Sequence, residues 1–166
     1  PNHLSIIFPI QPFLLSSIHA AAETMISHFF VRRPKVSDAI FFPSEDSENR
    51  LIGFLKKAKQ TMYVCVFTIT NNRLADQLYL AWQRNVDVKV ISDDECSKQL
   101  GSDIFDLANA EIPVRLDNSP STHMHNKFVV IDRRIVITGS FNWTSAAVDS
   151  NQENLCILDN EELAVK

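Results

Sequence analysis

Cysteine is scarce in this chain, and what there is cannot build a covalent frame. Cys65, Cys96 and Cys156 are odd in number, far apart and set in mostly apolar surroundings. They read as buried thiols of a reducing compartment rather than as disulfides. Positive charge is also in short supply. The 16 basic and 20 acidic residues give a formal charge of −4, which excludes a globally basic nucleic-acid binder but not a local cationic groove. Residues 1–22 carry no formal charge of either sign. Ile6, Ile7, Phe8, Phe13, Leu14, Leu15 and Ile18 make a membrane anchor conceivable there. Pro9 and Pro12 interrupt it, and Glu23 would cost about 3 kcal/mol at mid-bilayer against roughly half a kcal/mol returned by each Leu or Ile. The competing reading is an amphipathic helix, with Leu14, Ile18, Ala21, Met25 and Phe29 opposite Ser16, Glu23 and Ser27. Both stay open. If residues 4–30 do enter a bilayer, Arg32, Arg33 and Lys35 put the following domain on the cytosolic side.

What is present suffices for one sizeable core: 166 residues, 45% of them hydrophobic. The expected organisation is an apolar N-terminal segment over 1–36 and one catalytic domain over 37–166. The chain begins on Pro1 and stops as residues 161–165 take on a helical pattern, so it reads as a fragment at both ends. From residue 38 an apolar run ended by Pro43 predicts a strand, and Ser44 or Asp46 caps a helix carrying Leu51, Ile52, Phe54, Leu55 and Ala58. Lys56, Lys57 and Lys59 at its end suit a helix C-terminus better than a nucleic-acid patch. Residues 62–69 predict a strand buried on both faces. A helix capped by Asn71 or Asn72, a strand over 86–91, a helix over 97–110 and a short strand over 114–116 follow. This alternation predicts an α/β layered sheet flanked by helices.

After a turn-rich loop comes Thr122-His123-Met124-His125-Asn126-Lys127, then the apolar run Phe128-Val129-Val130-Ile131 and Asp132. His125 and Lys127 are two apart, so on a strand they leave the same face. An imidazole can attack phosphorus or pass a proton at neutral pH, and a lysine beside it can neutralise a phosphate oxygen. The pair therefore points to phosphoryl transfer. Residues 134–138 predict the partner strand of a hairpin. Gly139 ends it, and a helix starting at Asn142 would offer its amides to a phosphate, with Ser140 and Asn142 as binding groups. Glu153, at the start of a last strand over 154–158, can hold an imidazole in one tautomer; an exposed strand-end acid is the plain alternative. His123 and His125 form a His-x-His pair, but zinc needs three or four ligands and no further Cys or His stands at metal spacing. No metal or cofactor is expected.

The pattern His-x-Lys-x4-Asp followed by Gly139-Ser140-Phe141-Asn142 resembles the signature of the phospholipase D superfamily. Phe41-Phe42-Pro43-Ser44, Gly139-Ser140-Phe141-Asn142-Trp143-Thr144 and Asn151-Gln152-Glu153-Asn154 are similar to its mitochondrial cardiolipin hydrolase or Zucchini endonuclease branch, from about Ser37 to the end. The resemblance implies a phospholipase D-like mixed sheet with one catalytic motif per chain. The family's catalytic His, Lys and Asp fall on His125, Lys127 and Asp132, with Asp132 in a supporting structural role. Its phosphate-binding Ser and Asn fall on Ser140 and Asn142, and its His-orienting Glu on Glu153. One departure stands out: the cysteine- and histidine-containing insertion typical of that branch is missing, because Ser44 runs straight into Glu45-Asp46-Ser47-Glu48-Asn49-Arg50. The layout is nearer to the compact bacterial nucleases of the superfamily. The implied activity is metal-independent phosphodiester hydrolysis through a phosphohistidine, on a phospholipid such as cardiolipin or on single-stranded RNA. Because one chain holds one His-Lys-Asp set, the implied assembly is a homodimer sharing its active site. The implied location is the mitochondrial outer membrane, with the domain facing the cytosol. A membrane-tethered binding or scaffold module with a vestigial site is the alternative.

Overall fold

The structure, a computed structural model, describes residues 35–119 and 121–166. The apolar segment 4–30, with its anchor and packed-helix readings, lies outside them. Among the described residues no helix is long and apolar enough to cross a membrane.

The chain opens with β1 (Lys35–Phe42) and α1 (Glu45–Leu55), followed by β2 (Thr61–Val66), α2 (Asn72–Gln83) and β3 (Asp87–Ser92). A 3-10 turn (Cys96–Lys98), α3 (Ile104–Asn109), β4 (Val114–Leu116), β5 (Lys127–Ile131) and β6 (Ile135–Gly139) come next. α4 (Ser145–Asp149), β7 (Glu153–Asp159) and α5 (Glu161–Ala164) complete it. The strands form one mixed sheet in the order β1-β7-β6-β5-β2-β3-β4. β2, β3 and β4 run parallel to one another, while β5 pairs antiparallel with both β2 and β6. β5 and β6 are the expected hairpin.

Local chemistry accounts for the boundaries. Ser44 accepts the Ser47 amide at the start of α1, and Asn71 accepts the Leu74 amide at the start of α2. Leu51, Ile52 and Leu55 of α1 and Leu74, Leu78 and Ala81 of α2 belong to the same buried cluster as Met62, Val64 and Val66 of β2 and Val88 and Val90 of β3. The fully buried Glu48 ties the two helices together, accepting from Asn71 Nδ2 at 2.7 Å and pairing with Arg73. A buried carboxylate keeps its charge only with such donors.

Three predicted elements differ from the structure. The strand over 62–69 stops at Val66, and only its last residues are buried on both faces, since Thr61 and Tyr63 are half-buried. The helix over 97–110 is broken into the 3-10 turn and α3, with Gly101 at φ +81 and Leu100 fully exposed between them. That backbone conformation lies outside the helical region. The helix expected from Asn142 begins only at Ser145, because Thr144 takes the cap position and accepts the Ala147 amide.

Candidate active site

Register gathers the chemistry at one end of the sheet. Val66, the last residue of β2, pairs with Lys127, the first of β5, and Gly139, the last of β6, pairs with Leu155 near the start of β7. The carboxyl ends of β3 and β4 open toward the same side. Crevices outside the carboxyl ends of parallel strands are where open α/β sheets bind ligands.

His125 lies just before β5 rather than on it, and is exposed. It still shares a face with Lys127, because both reach Phe67. The His125 ring stands 4.6 Å from the Phe67 ring, and Lys127 Nζ lies 4.9 Å from the same centroid. An ammonium against an aromatic face is held by the ring quadrupole. Lys127 also donates to the His125 carbonyl at 2.7 Å. It is 9% exposed, and that burial lowers its pKa, while the Glu153 carboxylate pulls it back up. Phe67 was invisible as a site residue in the sequence, where it belonged to a longer predicted strand.

Ser140 and Glu153 meet directly. The Ser140 hydroxyl donates to Glu153 Oε2 and accepts the Asn154 amide at 3.2 Å, and Asn151 Nδ2 donates to Glu153 Oε1 at 3.3 Å. Gly139 makes this possible: a Cβ there would lie 2.0 Å from the Asn154 carbonyl oxygen. Glu153 thus orients Ser140, and within one chain it makes no hydrogen bond to His125 among the described residues. Asn142 is held between buried Phe141, which stacks on Phe42 at 4.0 Å, and buried Trp143, whose amide and carbonyl bond to Thr68, Thr70 and Asn71. Phe141, Trp143 and Lys127 line one small cavity. Asn142 Oδ1 is buried without a protein partner among the described residues, an acceptor that an ordered water or a ligand's donor could satisfy. Ser140 and Asn142 therefore belong to an irregular segment, not to a helix N-terminus as the sequence suggested.

Asp132 sits at the opposite end of β5. Its carboxylate accepts the consecutive amides of Lys59, Gln60 and Thr61 at 2.7–3.1 Å, and its φ of 52 is one that Asp tolerates better than most residues. It clamps the turn into β2. A strand's length from His125, it cannot touch the same substrate atom, so its place in the motif is structural.

A further group was not legible in the sequence. Asp93, Asp94 and Asp117 bring carboxylate oxygens within 4.8 Å of one another, a spacing able to hold a metal ion. Their partners show another use. Asp93 accepts the Glu95 and Cys96 amides and faces His123, Asp117 accepts the Asp94 and Met124 amides, and Asp94 pairs with Lys98 at 3.5 Å. These carboxylates fasten the loop that delivers His125.

Residues 51–166 match the family described as "Cardiolipin synthase, PLD-like domain". The chain belongs to the phospholipase D-like family. Within that family it is 41% identical over 117 residues to the mitochondrial cardiolipin hydrolase of Chlamydomonas reinhardtii, covering 70% of this chain and 52% of that protein. It is 37% identical over 118 residues to the human protein of the same name, covering 71% and 46%. A phospholipase D of Rickettsia typhi is 32% identical over 149 residues, covering 87% and 72%. The chain spans roughly half the length of several of the cardiolipin hydrolases it matches. Among solved structures, the phospholipase D family member Nuc from Salmonella typhimurium superposes with a TM-score of 0.72 at 30% identity, covering 80% of this chain and 88% of Nuc. The mixed sheet is accordingly a phospholipase D-like fold.

Proposed function

We propose that this chain is a phosphodiesterase in which His125 attacks the phosphorus and forms a phosphohistidine. The observation that carries the reading is the meeting of His125 and Lys127 on the Phe67 ring, at the end of the sheet where β6 runs out into Ser140 and Asn142. His125 is exposed and able to reach a substrate. Lys127 supplies a fixed positive charge that the developing oxyanion can use without reorganisation, with Ser140 and Asn142 beside it. In this reading the protein's own cation and dipoles neutralise the phosphate, so no metal is needed. The alcohol that leaves requires an acid, and the acid is the His125 of a second copy across a two-fold axis, which afterwards activates the hydrolytic water. The two copies form a homodimer with a shared active site.

The substrate class is a phosphodiester of a phospholipid such as cardiolipin, or of single-stranded RNA. The names of the relatives support the first, and the likeness to Nuc supports a nuclease-type site. Those names also support a mitochondrial location, which we place at the outer membrane with the domain facing the cytosol. The test is a side-by-side assay on cardiolipin liposomes and labelled single-stranded RNA, each with excess EDTA. Turnover of at least one substrate that survives EDTA is expected and is lost in His125→Ala. Activity that EDTA abolishes and zinc or magnesium restores would replace this scheme with a metal-bound nucleophile.

A further inference from the structure

His123 is not used by the chemistry assigned to His125, yet it is built into the same wall. Its Nδ1 lies 3.0 Å from Oδ2 of Asp93, a carboxylate that is fully buried just past β3 and whose other oxygen is taken by the Glu95 and Cys96 amides. The His123 side chain is half exposed, and its ring lies T-shaped to Phe67 at 5.6 Å, on the ring that also carries His125 at 4.6 Å. The two imidazole centres are thus no more than about 10 Å apart. The buried acid fixes the orientation of the ring, as a carboxylate behind a histidine does elsewhere. Nε2 has no partner among the described residues, which leaves it free for a ligand.

The surroundings decide what that ligand can be. The carboxylates of Asp93, Glu95 and Asp117 act on His123 together, the Asp93 hydrogen bond most strongly, and hold its pKa above the usual range. A second phosphate would be repelled by the same carboxylates. A hydroxyl would not be, and because it both donates and accepts it can pair with Nε2 whether the ring is charged or neutral. Both imidazoles pack on Phe67 within the limit of about 10 Å, so a hydroxyl held at Nε2 would belong to the same bound substrate as the phosphorus at His125.

We propose that His123, braced by Asp93, is a recognition subsite for a free hydroxyl beside the scissile phosphodiester, and so selects substrates that carry one. The inference rests on the phosphodiesterase reading above. Two sources offer this chemistry, the ribose 2′-hydroxyl of RNA and the central glycerol hydroxyl of a cardiolipin-type lipid.

The experiment compares matched pairs in wild type, His123→Phe and His123→Gln. One pair is a single-stranded oligoribonucleotide and its all-deoxy counterpart; the other is cardiolipin and its analogue lacking the central hydroxyl. Wild type is expected to prefer the hydroxyl-bearing member of whichever pair it turns over by about tenfold in kcat/KM, one good hydrogen bond's worth. His123→Phe keeps an aromatic ring against Phe67 and should bring that ratio close to one. His123→Gln, which retains a hydrogen-bonding group, should lie between. A wild-type ratio near one, or a ratio that His123→Phe leaves intact while rates fall equally, overturns the subsite with the phosphodiesterase reading still standing. Failure to cleave any of the four substrates removes that reading itself.

Discussion

At the scale of single residues, the proposed chemistry assigns most of the electrostatic work to Lys127, which is nine-tenths buried. Burial favours its neutral form and lowers its pKa, against the pull of Glu153. If this ammonium stabilises the oxyanion, it should set the alkaline limit of activity. The rate should fall as pH rises through the lowered lysine pKa, with the proton lost and the oxyanion left uncompensated. In Lys127→Arg, whose guanidinium keeps its proton far above this range, the residual activity should lose that alkaline limb. In Lys127→Met it should drop by about a hundredfold or more at all pH values. Full pH–rate profiles of the three proteins check both expectations, and an unchanged alkaline limb in Lys127→Arg would assign that limb to another group.

At the scale of elements, β5 separates chemistry from support. Its first residue, Lys127, faces the crevice, and Asp132 just past its last residue gathers three amides from the turn into β2. Hydrogen bonds to a charged acceptor are each worth about 1.5–3 kcal/mol when well made, and less near solvent. Asp132→Ala is thus expected to cost about 3 kcal/mol in denaturant unfolding, and Asp132→Asn, which keeps one oxygen and the tolerated φ, about 1 kcal/mol. Activity of the folded fraction should stay within about twofold of wild type in both, because no step of the proposed chemistry passes through Asp132. A stable but inactive Asp132→Asn would return it to the catalytic set.

The same elements show what the sequence could and could not reveal. The β5–β6 hairpin was legible because its apolar runs and turn are contiguous, and so was the His125–Lys127 pair, whose spacing is local. Phe67 and Asp93 could not be found in this way. They reach the crevice only through the pairing of β2 with β3 and β5, a non-local arrangement that periodicity does not encode. Residues 97–110 had helical spacing of apolar side chains, but Gly101 breaks the backbone. Ser140 and Asn142 were recognised as a motif but placed at a helix N-terminus that lies further on, because Thr144 is the residue that caps the helix.

For the whole molecule, the proposed mechanism needs two copies, since within one chain it assigns a nucleophile and no acid for the leaving alcohol. Unfolding and refolding wild type with an equal amount of His125→Ala yields wild-type homodimers as about a quarter of the population. If each centre takes one His125 from each chain, heterodimers are dead and activity should fall to about a quarter of an all-wild-type control. Independent sites would leave about half, and would demand an acid within the chain, for which His123 is the nearest imidazole among the described residues.

The most direct test of the central claim is to trap the covalent adduct. Wild type is mixed with substrate labelled at the scissile phosphorus, quenched in base within one turnover, and digested for mass spectrometry. The expected adduct is the labelled phosphoryl group, still carrying the ester substituent that did not leave, on the peptide containing His125, stable to base and labile to acid, and absent from His125→Ala. An adduct that persists in His125→Ala, or maps to His123, would contradict it.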